Sequence, residues 1–138
     1  MTMADKLKLE IVTAEGPAYS QDVEMVTLPG VAGQFGVYPQ HIPLMAQMEP
    51  GEMIVRKDGH DTFFATGAGL IEVTATSVAI LTDLAVQADK IDEAKAEEAR
   101  RRAEARLKEK LADDEVASIN ASLARSLAQL RVKRRQRK

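Results

Sequence analysis

Two hydrophobic periods divide the chain. Over residues 6–13 apolar and charged positions alternate, Leu7, Leu9 and Ile11 on one face and Lys8 and Glu10 on the other, which is the period of a half-buried strand. Glu15-Gly16-Pro17 breaks the pattern. Residues 23–28 read as a second strand stopped by Pro29-Gly30, and residues 43–48 as an apolar run ending in the turn Glu49-Pro50-Gly51. Residues 53–56 and 62–65 flank Asp58-Gly59, a strong hairpin signal, and residues 70–74 and 78–82 form a last pair entered by Gly67-Ala68-Gly69. Short strands at this spacing predict an antiparallel β-sandwich over residues 1–86.

From Asp89 the period lengthens to about 3.6 residues, the helical value. Asp89 is the expected N-cap, with Asp92 and Glu93 in the first turn, where carboxylates favour the helix dipole. Ala96, Ala99, Ala103, Leu107 and Leu111 mark one face; after a break at Asp113-Asp114-Glu115, Val116, Ile119, Leu123, Leu127 and Leu130 mark a second. The short connection predicts an antiparallel two-helix hairpin over residues 87–138. Its end, Lys133-Arg134-Arg135-Gln136-Arg137-Lys138, reads as too polar and too charged to pack. The fold class is therefore mainly β plus α, a sandwich followed by a helical hairpin.

Between the second strand and the apolar run lies Gly33-Gln34-Phe35-Gly36-Val37-Tyr38-Pro39-Gln40-His41-Ile42-Pro43-Leu44. Its glycines open backbone angles closed to other residues, and its prolines fix φ and remove N–H donors, so the chain is expected to turn here and start a new strand at Ile42.

Charge sharpens the division into two units. Residues 1–88 carry Lys6, Lys8, Arg56 and Lys57 against eleven acidic residues, a formal −7, whereas residues 89–138 carry fifteen basic against ten acidic, a formal +5; the total of −2 hides the split. Cysteine is absent, which excludes a disulfide framework and a thiol nucleophile. No apolar run approaches the ~20 residues that span a bilayer, and residues 1–7 lack the apolar centre of a signal peptide, so a soluble protein tied to a membrane only through a partner is expected.

No catalytic constellation is present. His41 and His60 are the two histidines and His60 falls in a hairpin tip, so no metal site is expected. Gly67-Ala68-Gly69 opens a strand where a dinucleotide fingerprint requires a helix, and the glycines of residues 30–36 lack the Lys-Ser/Thr ending of a phosphate loop. The basic helices admit a nucleic-acid or polyanion-binding reading, which the net negative charge, the absence of helix aromatics and the lack of a recognised motif weigh against. A basic arm docking on an acidic protein surface fits better. The first helix offers mostly alanine methyls, at about 0.8 kcal/mol per buried CH₂, so its contacts could exchange for a partner's.

Together these residues resemble, along the length of the chain, the epsilon subunit of bacterial and chloroplast F-type ATP synthases. That family's signature, G-x-hydrophobic-G-hydrophobic-x-P-x-H-x-P-L, is the Gly33 to Leu44 stretch quoted above; Val12-Thr13-Ala14-Glu15-Gly16-Pro17, Asp22-Val23-Glu24, Gly67-Ala68-Gly69-Leu70-Ile71-Glu72-Val73 and Ala128-Gln129-Leu130-Arg131-Val132 add flanking matches. The resemblance implies a non-catalytic rotor subunit at the foot of the central stalk, on the cytoplasmic face of the bacterial inner membrane. Its sandwich would bind the gamma subunit and the c-subunit ring, with Gln34, Phe35, Tyr38 and His41 as contacts; Gln34 stands where family members often carry an acid. The hairpin would lie beside the sandwich or extend into the alpha/beta catalytic head and inhibit hydrolysis, with Arg100, Arg101, Arg102, Arg106, Lys108, Arg125 and Arg131 meeting acidic beta segments. Some members bind ATP through Ile/Leu-Asp-x-x-Arg-Ala; here the stretch is Ile91-Asp92-Glu93-Ala94-Lys95-Ala96, and Lys95 replaces a bidentate fork by a point charge. Weak or absent ATP binding is expected, and no required cofactor.

Overall fold

The structure, a computed structural model, describes residues 6–136. Ten strands come first: β1 (Leu7–Thr13), β2 (Gly16–Val23), β3 (Met25–Gly30), β4 (Gly33–Val37), β5 (Leu44–Met48), β6 (Gly51–Lys57), β7 (His60–Thr66), β8 (Gly69–Val73), β9 (Ser77–Thr82) and β10 (Ala85–Gln87). A 3₁₀ turn (Ala88–Lys90) leads to helices α1 (Glu93–Leu107) and α2 (Asp113–Gln136). One layer holds β10-β7-β6-β3 with β4 beyond β3, the other β5-β8-β9-β1-β2, and the single pair Gly30–Met48 joins them. The pairing is antiparallel except for β1 with β9, which run parallel. The expected Asp58-Gly59 hairpin is present: both residues have positive φ, as a two-residue turn between the paired Lys57 and His60 requires.

Alternation builds the core. Leu7, Leu9 and Ile11 of β1 and Val78 and Ile80 of β9 face Val26, Leu28, Met53, Val55 and Phe64 of the other layer. Tyr19 and Phe64 meet edge to face across the sandwich at 5.4 Å between ring centroids.

The structure differs from the sequence reading in several places. β10 is an additional strand, β1 and β9 run parallel within the expected antiparallel sandwich, and α1 ends at Leu107, so Leu111 lies in the connection to α2. β2 is a strand where the sequence shows only the break at Glu15-Gly16-Pro17; it is the outermost strand of its layer, mostly exposed, with little inward besides Val23 and part of Tyr19, so it shows no clean alternation. The stretch expected only to turn contains β4, paired with β3 from Val26–Val37 to Gly30–Gly33, and the next strand starts at Leu44 rather than Ile42, because Pro39 and Pro43 have no N–H to give a ladder. Asp92, not Asp89, caps α1: its Oδ1 accepts from the Lys95 N–H at 3.1 Å, while Asp89 lies in the 3₁₀ turn and extended Ile91 separates it from the helix. The basic end packs: α2 runs through Lys133, Arg134 and Arg135, each of which finds an acceptor, while Arg137 and Lys138 lie outside the described residues.

Candidate functional site

β4 sets out the signature residues. Phe35 and Val37 point inward, Phe35 half-buried against the core and Val37 fully buried, while Gln34 and Tyr38 share the outer face of this edge strand. Four residue steps separate them, roughly 13 Å along the extended chain, with Tyr38 just past the end of β4. Beyond Tyr38 the chain is stitched to the β8–β9 turn, the Gln40 N–H donating to the Ala75 carbonyl at 2.7 Å. Half-buried His41 places Nδ1 2.7 Å from the Ile42 carbonyl oxygen, to which its Nδ1–H tautomer donates. Tyr38 and Ile42 are 60% and 76% exposed, an apolar end that no element covers among the described residues.

A second apolar surface went unread in the sequence. In the β5-β8-β9-β1 layer the register aligns Leu70 with Leu81 and Leu81 with Val12, and Leu70 and Leu81 are 48% and 57% exposed on the outer face, one row from exposed Met45. The signal was available: Ile71 and Val73 take the inward phase of β8, so Leu70 must face out.

α2 has two working faces. Ile119, Leu123, Leu130 and Arg134 lie on the face toward α1, where Arg134 pairs with Glu93 and Glu97. Arg125, Ala128, Val132 and Arg135, at helical spacings of three, four and three, form the face toward the sandwich. Val132 is fully buried with Ala65, Ala88 and Ile91, and Phe63 and Val86 pack at the edge of this cluster. Arg125 pairs with Asp83 at 3.1 Å, and Arg135 pairs with Glu52 at 2.5 Å with its guanidinium 5.4 Å from the Phe63 ring centroid. Sequence periodicity found the first face because it is written in leucine. It missed the second because half of it is arginine.

The expected inhibitory residues are mostly engaged within the folded hairpin. Arg100 binds Glu97 and Glu104, Arg101 lies 3.6 Å from Glu97, Arg102 binds Glu98, and Arg106 reaches Glu109 and Glu115. The hydrogen bond from Arg100, with further pull from Arg101 and Arg134, holds the Glu97 carboxyl below its ordinary value. Lys108 forms the C-cap of α1, and Arg131 lines a shallow cleft with Leu127 and Leu130. In the nucleotide-like stretch Ile91 is core, Asp92 caps α1 by accepting from the Lys95 N–H, and Lys95 is exposed. The half fingerprint at Gly67–Gly69 is packing: a Cβ on Gly69 would stand 2.0 Å from the Leu81 carbonyl oxygen. Among the described residues no group of three metal-ligating side chains gathers, and no helix is long and apolar enough to cross a membrane.

The described residues thus form a sandwich with two exposed apolar surfaces and a charged helical hairpin clasped to its flank. Comparison gives its class: the model for the ATP synthase delta/epsilon chain beta-sandwich domain matches residues 6–88, and that for the delta/epsilon chain long alpha-helix domain matches residues 89–134. The chain belongs to the ATP synthase delta/epsilon family. Within it the likeness is to epsilon chains. It is 38% identical over 127 residues to the ATP synthase epsilon chain of Laribacter hongkongensis, covering 91% of both chains. It is 41% identical to that of Halorhodospira halophila, covering 91% of this chain and 90% of the relative. The fold is shared with a chain in the cryo-EM structure of the Euglena gracilis mitochondrial ATP synthase, OSCP/F1/c-ring (TM-score 0.73, 20% identity, 90% of this chain and 79% of that one). A chain of the Tetrahymena thermophila mitochondrial ATP synthase central stalk and c-ring is more distant (TM-score 0.52, 13% identity, 65% and 72%).

Proposed function

We propose that the chain is a non-catalytic rotor subunit of a bacterial F-type ATP synthase, peripheral to the cytoplasmic face of the inner membrane, that couples ring rotation to the catalytic head and restrains ATP hydrolysis through its C-terminal hairpin. The observation that carries this reading is the pairing of two exposed apolar surfaces on an acidic sandwich with a basic hairpin most of whose α1 arginines hold carboxylates of the hairpin itself. The apolar surfaces are permanent docking sites. The hairpin's arginines already hold carboxylates, so they can trade these for acidic beta segments at little net electrostatic cost.

In this assignment the Leu70–Leu81 face meets gamma, and the end carrying Gln34, Tyr38 and His41 meets the c-ring. Phe35 supports that end from beneath. Gln34 supplies amide hydrogen bonds where an acid would supply charge. Nucleotide binding through Lys95 is weak or absent, since one ammonium replaces a bidentate guanidinium; calorimetric titration with ATP that gave micromolar affinity would overturn this.

Deleting residues 89–138 tests the whole reading. Co-purification with gamma should persist and hydrolysis by the assembled enzyme should rise. Loss of gamma binding on that deletion would sink the assignment of docking to the sandwich, and retention of the full chain on nucleic acid in a gel shift at physiological salt would favour a polyanion-binding module instead.

A further inference from the structure

The contact between α2 and the sandwich has a feature that apolar docking does not require. In β6 Met53 points into the core and its neighbour Glu52 therefore points out, yet Glu52 is only 7% exposed. Its cover is α2, which lies against β6, β7 and the 3₁₀ turn. Around it stand Phe63, Ala65 and Val86, all apolar, so a carboxylate sits inside the apolar patch that receives Val132. One oxygen, Oε1, accepts from Arg135; Oε2 is buried with no hydrogen-bond partner among the described residues. Burying a carboxylate with half of its capacity unmet opposes docking, and Arg135 offsets that opposition only in part.

We infer that Glu52 and Arg135 form a latch that keeps docking of α2 reversible. Glu52 sets the helix register by admitting an arginine at position 135 and resists closure by demanding desolvation. When α2 leaves, Glu52 returns to water, so the undocked state recovers what the apolar patch loses. The pair at the other end of the stripe, Arg125–Asp83, is half in solvent and contributes little to this balance.

The latch predicts opposite effects from removing one partner and from removing both. The chain has no cysteine, so spin labels at Ser20→Cys and Asn120→Cys, both exposed positions, report the distance between sandwich and α2 by double electron–electron resonance. The measurement is made in the full chain at the urea concentration that undocks half of the unsubstituted protein. Arg135→Ala leaves Glu52 buried alone and should lower the docked-to-undocked ratio about tenfold, while Glu52→Leu with Arg135→Leu makes the contact apolar and should raise it about fivefold or more. Arg125→Ala should change it less than about threefold. The latch is overturned if Arg135→Ala leaves the ratio unchanged, or if the double leucine variant undocks as readily as Arg135→Ala. Its consequence for activity rests on the proposed inhibitory hairpin: in the assembled enzyme the double leucine variant should hydrolyse ATP faster, because its hairpin stays folded. Docking changes without a change in hydrolysis would leave the latch standing and remove the inhibitory reading.

Discussion

The sandwich buries Leu7, Leu9, Ile11, Val26, Leu28, Met53, Ile71 and Ile80 at 1% exposure or less, whereas α1 buries only Ala96 and Ala103. The first region gains its stability from large aliphatic side chains packed between two layers, where each fully buried residue is worth about 1.5–3 kcal/mol. The second has alanine methyls, a leucine stripe and a set of ion pairs, most of them on the surface, where each contributes between nothing and about 1 kcal/mol. One chain thus builds a densely packed sandwich and a thinly packed hairpin by changing what fills the interfaces, the contrast that the proposed detachment of the hairpin rests on. The hairpin is attached mainly at one end, where Val132 and Arg135 meet β6 and β7.

Substitutions can break this contrast, starting with the largest effect. Ile80→Ala, at the centre of the sandwich, should cost about 2–5 kcal/mol in urea unfolding followed by near-ultraviolet signals of Tyr19. An effect below 1 kcal/mol would show that the sandwich is not the more densely packed region. Val132→Ala should cost about 1.5 kcal/mol, from two lost methylene equivalents, but only in the docking of α2. The sandwich transition itself should not move, which separates the two regions directly. Asp92→Ala removes the N-cap of α1 and should lower helix stability by about 1 kcal/mol, read as ellipticity at 222 nm during thermal melting.

The smallest effect sharpens the electrostatic side of the contrast. Arg100 holds Glu97 below its ordinary value, so the folded hairpin is favoured while Glu97 is charged. That contribution is present above the unfolded carboxyl's titration and is lost as pH falls through the folded value, so the helical hairpin itself should lose stability in acid. Glu97→Gln should flatten this part of the pH profile of helix content, read as ellipticity at 222 nm, without changing it at acid pH. A profile unchanged by the substitution would assign the acid sensitivity to other carboxylates.

Most of the sandwich was legible because alternation is a local signal: Leu7, Leu9 and Ile11 announce β1 without help from any other strand. β2 and β4 were not. One is an edge strand with few inward side chains, and the other is masked by the glycines and prolines beside it. The site was legible in part. The turn chemistry of the signature gave no sign that Gly33–Val37 would be a strand with Val37 in the core, and Gln34 faces outward because β4 pairs with β3. Adjacent Phe63 and Phe64 hinted that one aromatic must face outward, yet nothing near them in sequence said that α2 would cover it.

The sequence by itself determined a β region followed by helices, the opposite charges of the two, and the helix face written in leucine, because each of these is a property of neighbouring residues. Only the tertiary structure decided that Lys133, Arg134 and Arg135 are ordered rather than loose, that Leu70 and Leu81 form an uncovered face, and that Glu52 is buried. Each of those outcomes rests on contacts between residues tens of positions apart, such as Arg135 with Glu52. A side chain's solvation is fixed by what lies across from it in space, and no local pattern encodes that.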